Sequence, residues 1–253
     1  MDFLEKILVE KRKEVAAMPL EEQKNFKPGI SFYETVRRNP ERLHVIGEIK
    51  RASPSKGAIN LGVDILDQAK QYEEAGVSAI SVLTDEVFFK GKIQDLAAIA
   101  ENVTVPVLCK DFVISEKQLI RAKNAGASLV LLIVAALSFD ELQKLYKKAQ
   151  ELELEVLVEA HNLAELQAAK QIGAKIIGVN NRDLKTFVVD IDHSVQLTQP
   201  EDGTVYISES GFATAEDAKR ITKGFHAILV GETLMRANSP REKITELRVL
   251  RHG

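Results

Sequence analysis

Two lysines and two glutamates, far apart in this 253-residue chain, share one local setting: each closes a short apolar run. Gly47-Glu48-Ile49-Lys50 closes the run from Val45, Lys110 the run from Val105, and Glu159 the run from Leu154. Asn180 ends a fourth run and is followed by Asn181 and Arg182. Two later runs end in Ser208-Glu209-Ser210-Gly211 and Gly231-Glu232-Thr233. Glu48 and Lys50 are two apart, so on an extended chain they point to the same side. A lysine and a carboxylate brought together with partial burial can serve as proton donor and proton acceptor. Taken singly, each group also fits a solvated rim ion pair, with Asp111 at hand for Lys110, and Glu209 reads the same way. Recurrence at successive run ends is what points to one converging site.

The elements that would bring these ends together follow a repeating pattern. Apolar runs at 44–50, 78–83, 105–110, 128–133, 154–159, 175–180, 203–208 and 226–231 lack clean two-residue alternation, as parallel strands covered on both faces do. Helical patterns lie between them at 64–75, 93–101, 115–125, 138–150, 162–172, 190–198, 214–223 and 240–250. Ser115 with Gln118, Ser138 with Glu141, Asn162 with Glu165 and Thr214 with Asp217 have the spacing of helix-start caps. Gly76, Gly126, Gly173 and Gly224 each stand between a helix and the next strand, where glycine accepts the left-handed cap conformation. Eight strand–helix units predict an α/β fold: a single (β/α)8 barrel, with active-site groups at the C-terminal strand ends. The rival, a doubly wound open sheet, lacks the expected GxGxxG after its first strand.

Residues 1–43 precede the barrel (44–253) as a helical extension within one 1–253 domain, with a helical stripe of Phe3, Leu4, Ile7, Leu8 and Val15. Phe26, Phe32 and Tyr33 are its expected anchors. Ser210-Gly211 and Gly231-Glu232-Thr233, with a short helix at 232–236, fit a barrel phosphate site, or alternatively two plain turns. A net charge of −3 and a pI near 6.0 argue against a nucleic-acid partner. No stretch is apolar enough for a membrane span or a signal peptide, so a cytoplasmic enzyme is expected. The one cysteine, Cys109, sits inside an apolar run and reads as a buried thiol. Asp190-Ile191-Asp192-His193 could hold a metal but also suits a helix start. Phe88, Phe89 and Phe112 could wall a pocket or fill core, and residues 51–62 form either a lid or an ordinary loop.

The stretches 47–57 (GEIKRASPSKG), 81–91 (SVLTDEVFFKG), 106–112 (PVLCKDF), 178–186 (GVNNRDLKT), 207–211 (ISESG) and 229–236 (LVGETLMR) carry a resemblance. In this order, over nearly the whole length, the chain resembles the indole-3-glycerol phosphate synthase family. The resemblance implies closure of 1-(2-carboxyphenylamino)-1-deoxyribulose 5-phosphate to an indole, with loss of carbon dioxide and water, in tryptophan biosynthesis. It implies no cofactor, no metal, a small phosphorylated substrate as the partner, and a monomer. It places Glu48, Lys50, Lys110, Glu159, Asn180 and Ser210 in the catalytic set. Lys110 is implied as the general acid, Glu159 as the general base, Lys50 as a candidate acid for dehydration and Glu48 as the group that tunes the lysines. For substrate binding it implies Ser53, Phe88, Phe89, Phe112, Leu131, Arg182, Leu184, Glu209, Gly211, Gly231 and Glu232. The aromatic and leucine side chains would wall the anthranilate ring, and Ser210, Gly211, Gly231 and Glu232 would cradle phosphate. The chain departs from the family at Cys109, where Arg is usual, at Lys92 in place of Ser, and at Thr233 in place of Ser. A phosphoribosylanthranilate isomerase, the other enzyme reading, would need a Cys–Asp pair; a non-catalytic metabolite-binding barrel would bind without turnover.

Overall fold

The computed structural model describes residues 2–24, 29–53 and 57–251. Strands β1 (His44–Ile49), β4 (Ala79–Leu83), β5 (Val107–Lys110), β6 (Leu129–Ile133), β7 (Glu155–Ala160), β8 (Ile176–Asn180), β9 (Val205–Glu209) and β10 (Ala227–Val230) pair in sequence order, all parallel. β1 closes the ring by pairing with both β4 and β10. The α/β expectation of a (β/α)8 barrel is met. The remaining strands, β2 (Ala52–Ser53) and β3 (Gly57–Ala58), form a small antiparallel pair in the loop after β1, which the pattern of apolar runs did not predict. Part of the 51–62 stretch, residues 54–56, lies outside the described residues.

The barrel is wrapped by α3 (Ile65–Glu74), α4 (Ile93–Asn102), α5 (Glu116–Asn124), α6 (Phe139–Glu151), α7 (Leu163–Gln171), α8 (Asp192–Gln196), α9 (Ala215–Lys219) and α11 (Pro240–Leu247). The short α10 (Glu232–Met235) follows β10 directly. Ser138 and Thr214 make full reciprocal capping boxes, and Asn162 caps α7 by accepting from Glu165 N. Ser115 caps α5 through Lys117 N instead, because Gln118 is turned inward to bond Ile114 N and Phe112 O. Gly76, Gly126 and Gly173 adopt the left-handed cap; Gly224 does not, and is instead packed against Thr198.

Two apolar layers result. One lies between the strands and the outer helices and contains Val45, Ile80, Val130, Val158 and Cys109. The other fills the barrel and contains Ile46, Leu108, Leu131, Leu157, Ile207 and Leu229. The extension reaches both ends of the second layer. At the N-terminal end of the strands, α2 (Phe32–Arg38) inserts Phe32 and Val36, both fully buried. Glu155, at the start of β7, anchors that helix by accepting from Ser31 Oγ (2.6 Å), Phe32 N (2.7 Å) and Tyr33 N (3.1 Å). A carboxylate there satisfies the otherwise unpaired first-turn amides. Phe26 lies outside the described residues. At the other end, α1 (Phe3–Ala17) crosses the barrel mouth.

Candidate active site

The polar strand ends meet at the C-terminal mouth, on a cavity of about 620 Å³. Lys110, the last residue of β5, places Nζ 2.9 Å from Glu159 Oε2 and 2.8 Å from Glu209 Oε2. Glu48 and Lys50 pair at 2.7 Å, on the same side of β1 as their spacing requires. Asn180 donates to Glu159 Oε1 (3.1 Å), and its own oxygen accepts from Ser210 Oγ (3.0 Å) and Arg182 N (3.0 Å). Register explains these meetings. Asn180 lies opposite Glu209 across β8–β9, and Glu159 lies opposite Gly178 across β7–β8. Gly178 must lack a side chain: a Cβ there would sit 2.2 Å from Glu209 Oε1.

The ionisation of the cluster follows from these distances. Burial opposes charge on Lys110, but Glu159, Glu209 and Glu48 outweigh it and hold the ammonium above the usual lysine range. Burial also opposes charge on Glu159, yet Lys110 and His161 outweigh it and keep this carboxylate below its usual range. Glu209 goes the other way. Burial dominates and Glu159 adds repulsion, so that even with Lys110 beside it Glu209 is pushed up to about 7. The site therefore holds a charged lysine, an ionised carboxylate and a second carboxylate that titrates near neutrality.

Phe89, Phe112, Leu131, Leu184 and Ser53 line the cavity. Phe88 does not line it; its ring packs edge-on against Phe3. Phe3 takes part in the lining together with Leu4 and Ile7 of α1, three residues not among the sequence candidates although their helical stripe was visible. Arg182, Ser210, Gly211, Gly231, Glu232 and Thr233 line the cavity as well. Arg182 donates to Phe187 O (3.2 Å) and Thr233 Oγ1 to Phe212 O (2.7 Å), which ties the loops after β8, β9 and β10 into shape. Gly231 packs directly on the first ion pair. A Cβ there would lie 2.5 Å from Glu48 Oε1 and 2.8 Å from Lys50 Nζ.

One buried cation organises the aromatic side. Lys11 of α1 is 1% exposed and sits 3.0 Å from Asp85 Oδ2 and 2.8 Å from Asp111 Oδ1. Asp85 Oδ1 accepts from Phe88 N (2.7 Å) and Phe89 N (3.3 Å), and Asp111 Oδ1 from Phe112 N (2.8 Å). Asp111 is thus committed to Lys11, with Arg121 beyond at 3.6 Å, and is not the partner of Lys110. Lys11 was missed in the sequence because it reads there as one more charge on an exposed helix.

His161 was missed as well. It follows Glu159 by two residues and bridges Glu159 and Glu165, and that spacing was the available signal. Cys109 faces the outer helices, with Thr84 Oγ1 at 3.5 Å, and burial beside Asp111 pushes its thiol up to about 12. It cannot supply a Cys–Asp acid–base pair at the cavity. Asp190 accepts from Asp192 N and His193 bonds His161 O, so this stretch makes a turn; among the described residues no three His, Cys, Asp or Glu side chains are grouped to hold a metal.

Fold and site together define a (β/α)8 barrel with a buried lysine–glutamate cluster in a cavity at the C-terminal ends of its strands. A family model described as indole-3-glycerol phosphate synthase matches residues 4–247. Proteins named indole-3-glycerol phosphate synthase include one from Listeria welshimeri that is 56% identical over 99% of this chain and all of its own length. Others are 54% identical in Streptococcus sanguinis (98% of each chain) and 52% identical in Lactococcus lactis (98% of this chain, 96% of the relative). The chain belongs to the indole-3-glycerol phosphate synthase family.

Proposed function

We propose that this chain closes 1-(2-carboxyphenylamino)-1-deoxyribulose 5-phosphate to indole-3-glycerol phosphate, releasing carbon dioxide and water. The observation that carries the reading is Lys110, held by Glu159 and Glu209 in a cavity that Phe89 and Phe112 also line. Lys110 protonates the ketone oxygen while the carboxylate-bearing ring carbon forms a bond to the ketone carbon. The bond to the carboxylate then breaks, and its electron pair restores the aromatic ring. Lys50 protonates the new hydroxyl as it departs as water, and Glu159 takes the proton from the neighbouring ring carbon. Ring closure depends on holding two carbons in contact, which is the work of Phe89, Phe112, Leu131 and Leu184. Asn180 and Ser53 position the substrate and Glu48 tunes Lys50. Backbone amides at Ser210, Gly211, Gly231 and Glu232 take the phosphate, with Arg182 in support.

All these groups come from one chain, and we read the working unit as a monomer. A charged, phosphorylated substrate does not cross membranes, so the cytoplasm is the proposed compartment. The test is direct. Purified protein is incubated with the named substrate while indole fluorescence is followed. Appearance of the product is expected; no product at high enzyme concentration overturns the reading.

A further inference from the structure

We infer that His161 and Glu165 form a proton relay that joins the buried Glu159–Lys110 pair to solvent. The inference rests on the acid–base roles proposed above. Charge balance creates the need for it. The substrate loses a carboxylate as neutral carbon dioxide while its phosphate is unchanged, so each turnover consumes one proton from solvent. In detail, two protons pass to oxygen, one at ring closure and one as water leaves, and one returns from the ring carbon to Glu159. Lys110 gives up its proton before Glu159 receives one, so solvent can reload Lys110 through Glu159 between the two steps; the proton later taken by Glu159 leaves by the same route while Lys50 reloads from solvent.

Lys50 and Lys110 both line the cavity, with side chains 15% and 12% exposed. Lys110 is bonded to two carboxylates, Glu159 and Glu209. Glu209 is 1% exposed, and among the described residues its ion-pair partner is Lys110. Glu159 leads outward. Its second oxygen meets Asn180, whose amide carries no exchangeable charge, and His161 Nε2 at 3.1 Å. The other face of the ring, Nδ1, stands 3.2 Å from Glu165 Oε2. Glu165 is in the first turn of α7, its side chain is 19% exposed, and Asn162 Nδ2 and His161 N hold its two oxygens. His193 adds a third constraint by bonding the His161 carbonyl.

An imidazole between two carboxylates is suited to transfer. It can release the Nε2 proton toward Glu159 and accept a proton at Nδ1 from Glu165, with no net change of its own. Burial opposes its charge, but Glu159 and Glu165 outweigh this and raise His161 to about 10, so the ring starts loaded with both protons. Nε2 stands 3.1 Å from Glu159 Oε1 as an ion pair without an aligned hydrogen bond. The groups that face Glu159 are Lys110 from β5, Asn180 from β8, Glu209 from β9 and His161 after its own strand.

The test is His161→Gln, with Glu165→Gln as a second variant at the solvent end. Each is assayed at saturating substrate with increasing imidazole. Turnover is expected to fall roughly 10-fold in His161→Gln with KM little changed, and added imidazole is expected to restore it in the variant but not in the parent. Unchanged turnover in both variants overturns the relay. So does a loss that no concentration of imidazole restores, since that marks a purely positioning role. Glu159→Gln and Lys110→Ala are run in parallel; if they keep parental turnover, it is the acid–base assignment itself that fails.

Discussion

At the scale of single residues, the site combines like and unlike charges so that each carboxylate differs in state. Lys110 is the common partner, and Lys110→Ala is expected to lower turnover by roughly 10²- to 10⁴-fold with the fold retained, measured as product fluorescence against circular dichroism. Glu209 carries a testable cost. Its acid form is favoured on folding, because its pKa rises from the ordinary 4.5 to about 7. Stability is therefore lost as pH climbs from about 4.5 to about 7, where the unfolded chain has released this proton and the folded chain has not. Glu209→Gln should be stabilised relative to the parent at pH 8 but not at pH 4.5, by an amount on the order of 1–3 kcal/mol in urea unfolding. An equal difference at both pH values would remove the argument. Gly231→Val should raise KM and also lower turnover, because its side chain would displace both Glu48 and Lys50. The strand-end groups were legible in the sequence because a buried strand rarely ends in repeated Lys, Glu and Asn. His161 lies just past a strand end, and its meaning depends on Glu165, a residue that in the sequence only signals a helix start.

At the scale of elements, α1 does two things: it lines the cavity and it places one cation over two loops. Lys11→Met would strand Asp85 and Asp111 as buried charges, and breaking such a pair typically costs about 3–5 kcal/mol. Because those carboxylates hold Phe89 and Phe112, KM should rise in step with the loss of stability; an unchanged KM in a destabilised variant would show that α1 is a brace only. Residues 1–43 read in the sequence as a helical extension with Phe32 among its anchors, but the prolines at 19, 28 and 40 left α2 without bounds of its own. The signal was present in Ser31 with Glu34, and in Phe32 with Val36 one turn apart. Phe32→Ala should cost about 3–5 kcal/mol, as for a large side chain removed from a packed core. Gln118 shows the opposite error: its capping spacing is present, but a buried backbone carbonyl at Phe112 claims it first.

At the scale of the whole molecule, the barrel was readable because eight units of one kind leave closure as the natural arrangement, and closure needs no special residue. For the extension, the anchors Phe32 and Tyr33 were readable but their partners were not. Its contacts span long separations, Ser31 to Glu155 across 124 positions and Tyr33 to Gly203 across 170. No local pattern announces such pairings. The mouth could be located from strand direction alone, whereas its cover and its wiring to solvent depend on helices that cross it from elsewhere.

Those separations also bear on how the chain is made. A ribosome releases residues 2–43 first, yet the sockets for α2 are built from β7 and from the turn before β9, and β1 finds its second neighbour only when β10 has emerged. α1 can meet Asp85 and Asp111 early, but α2, made soon after it, is among the last elements to be secured. Nascent chains halted near residue 190 should remain open to protease cleavage at the segment around Ser31, and protection should arrive only after the final strand has cleared the exit tunnel.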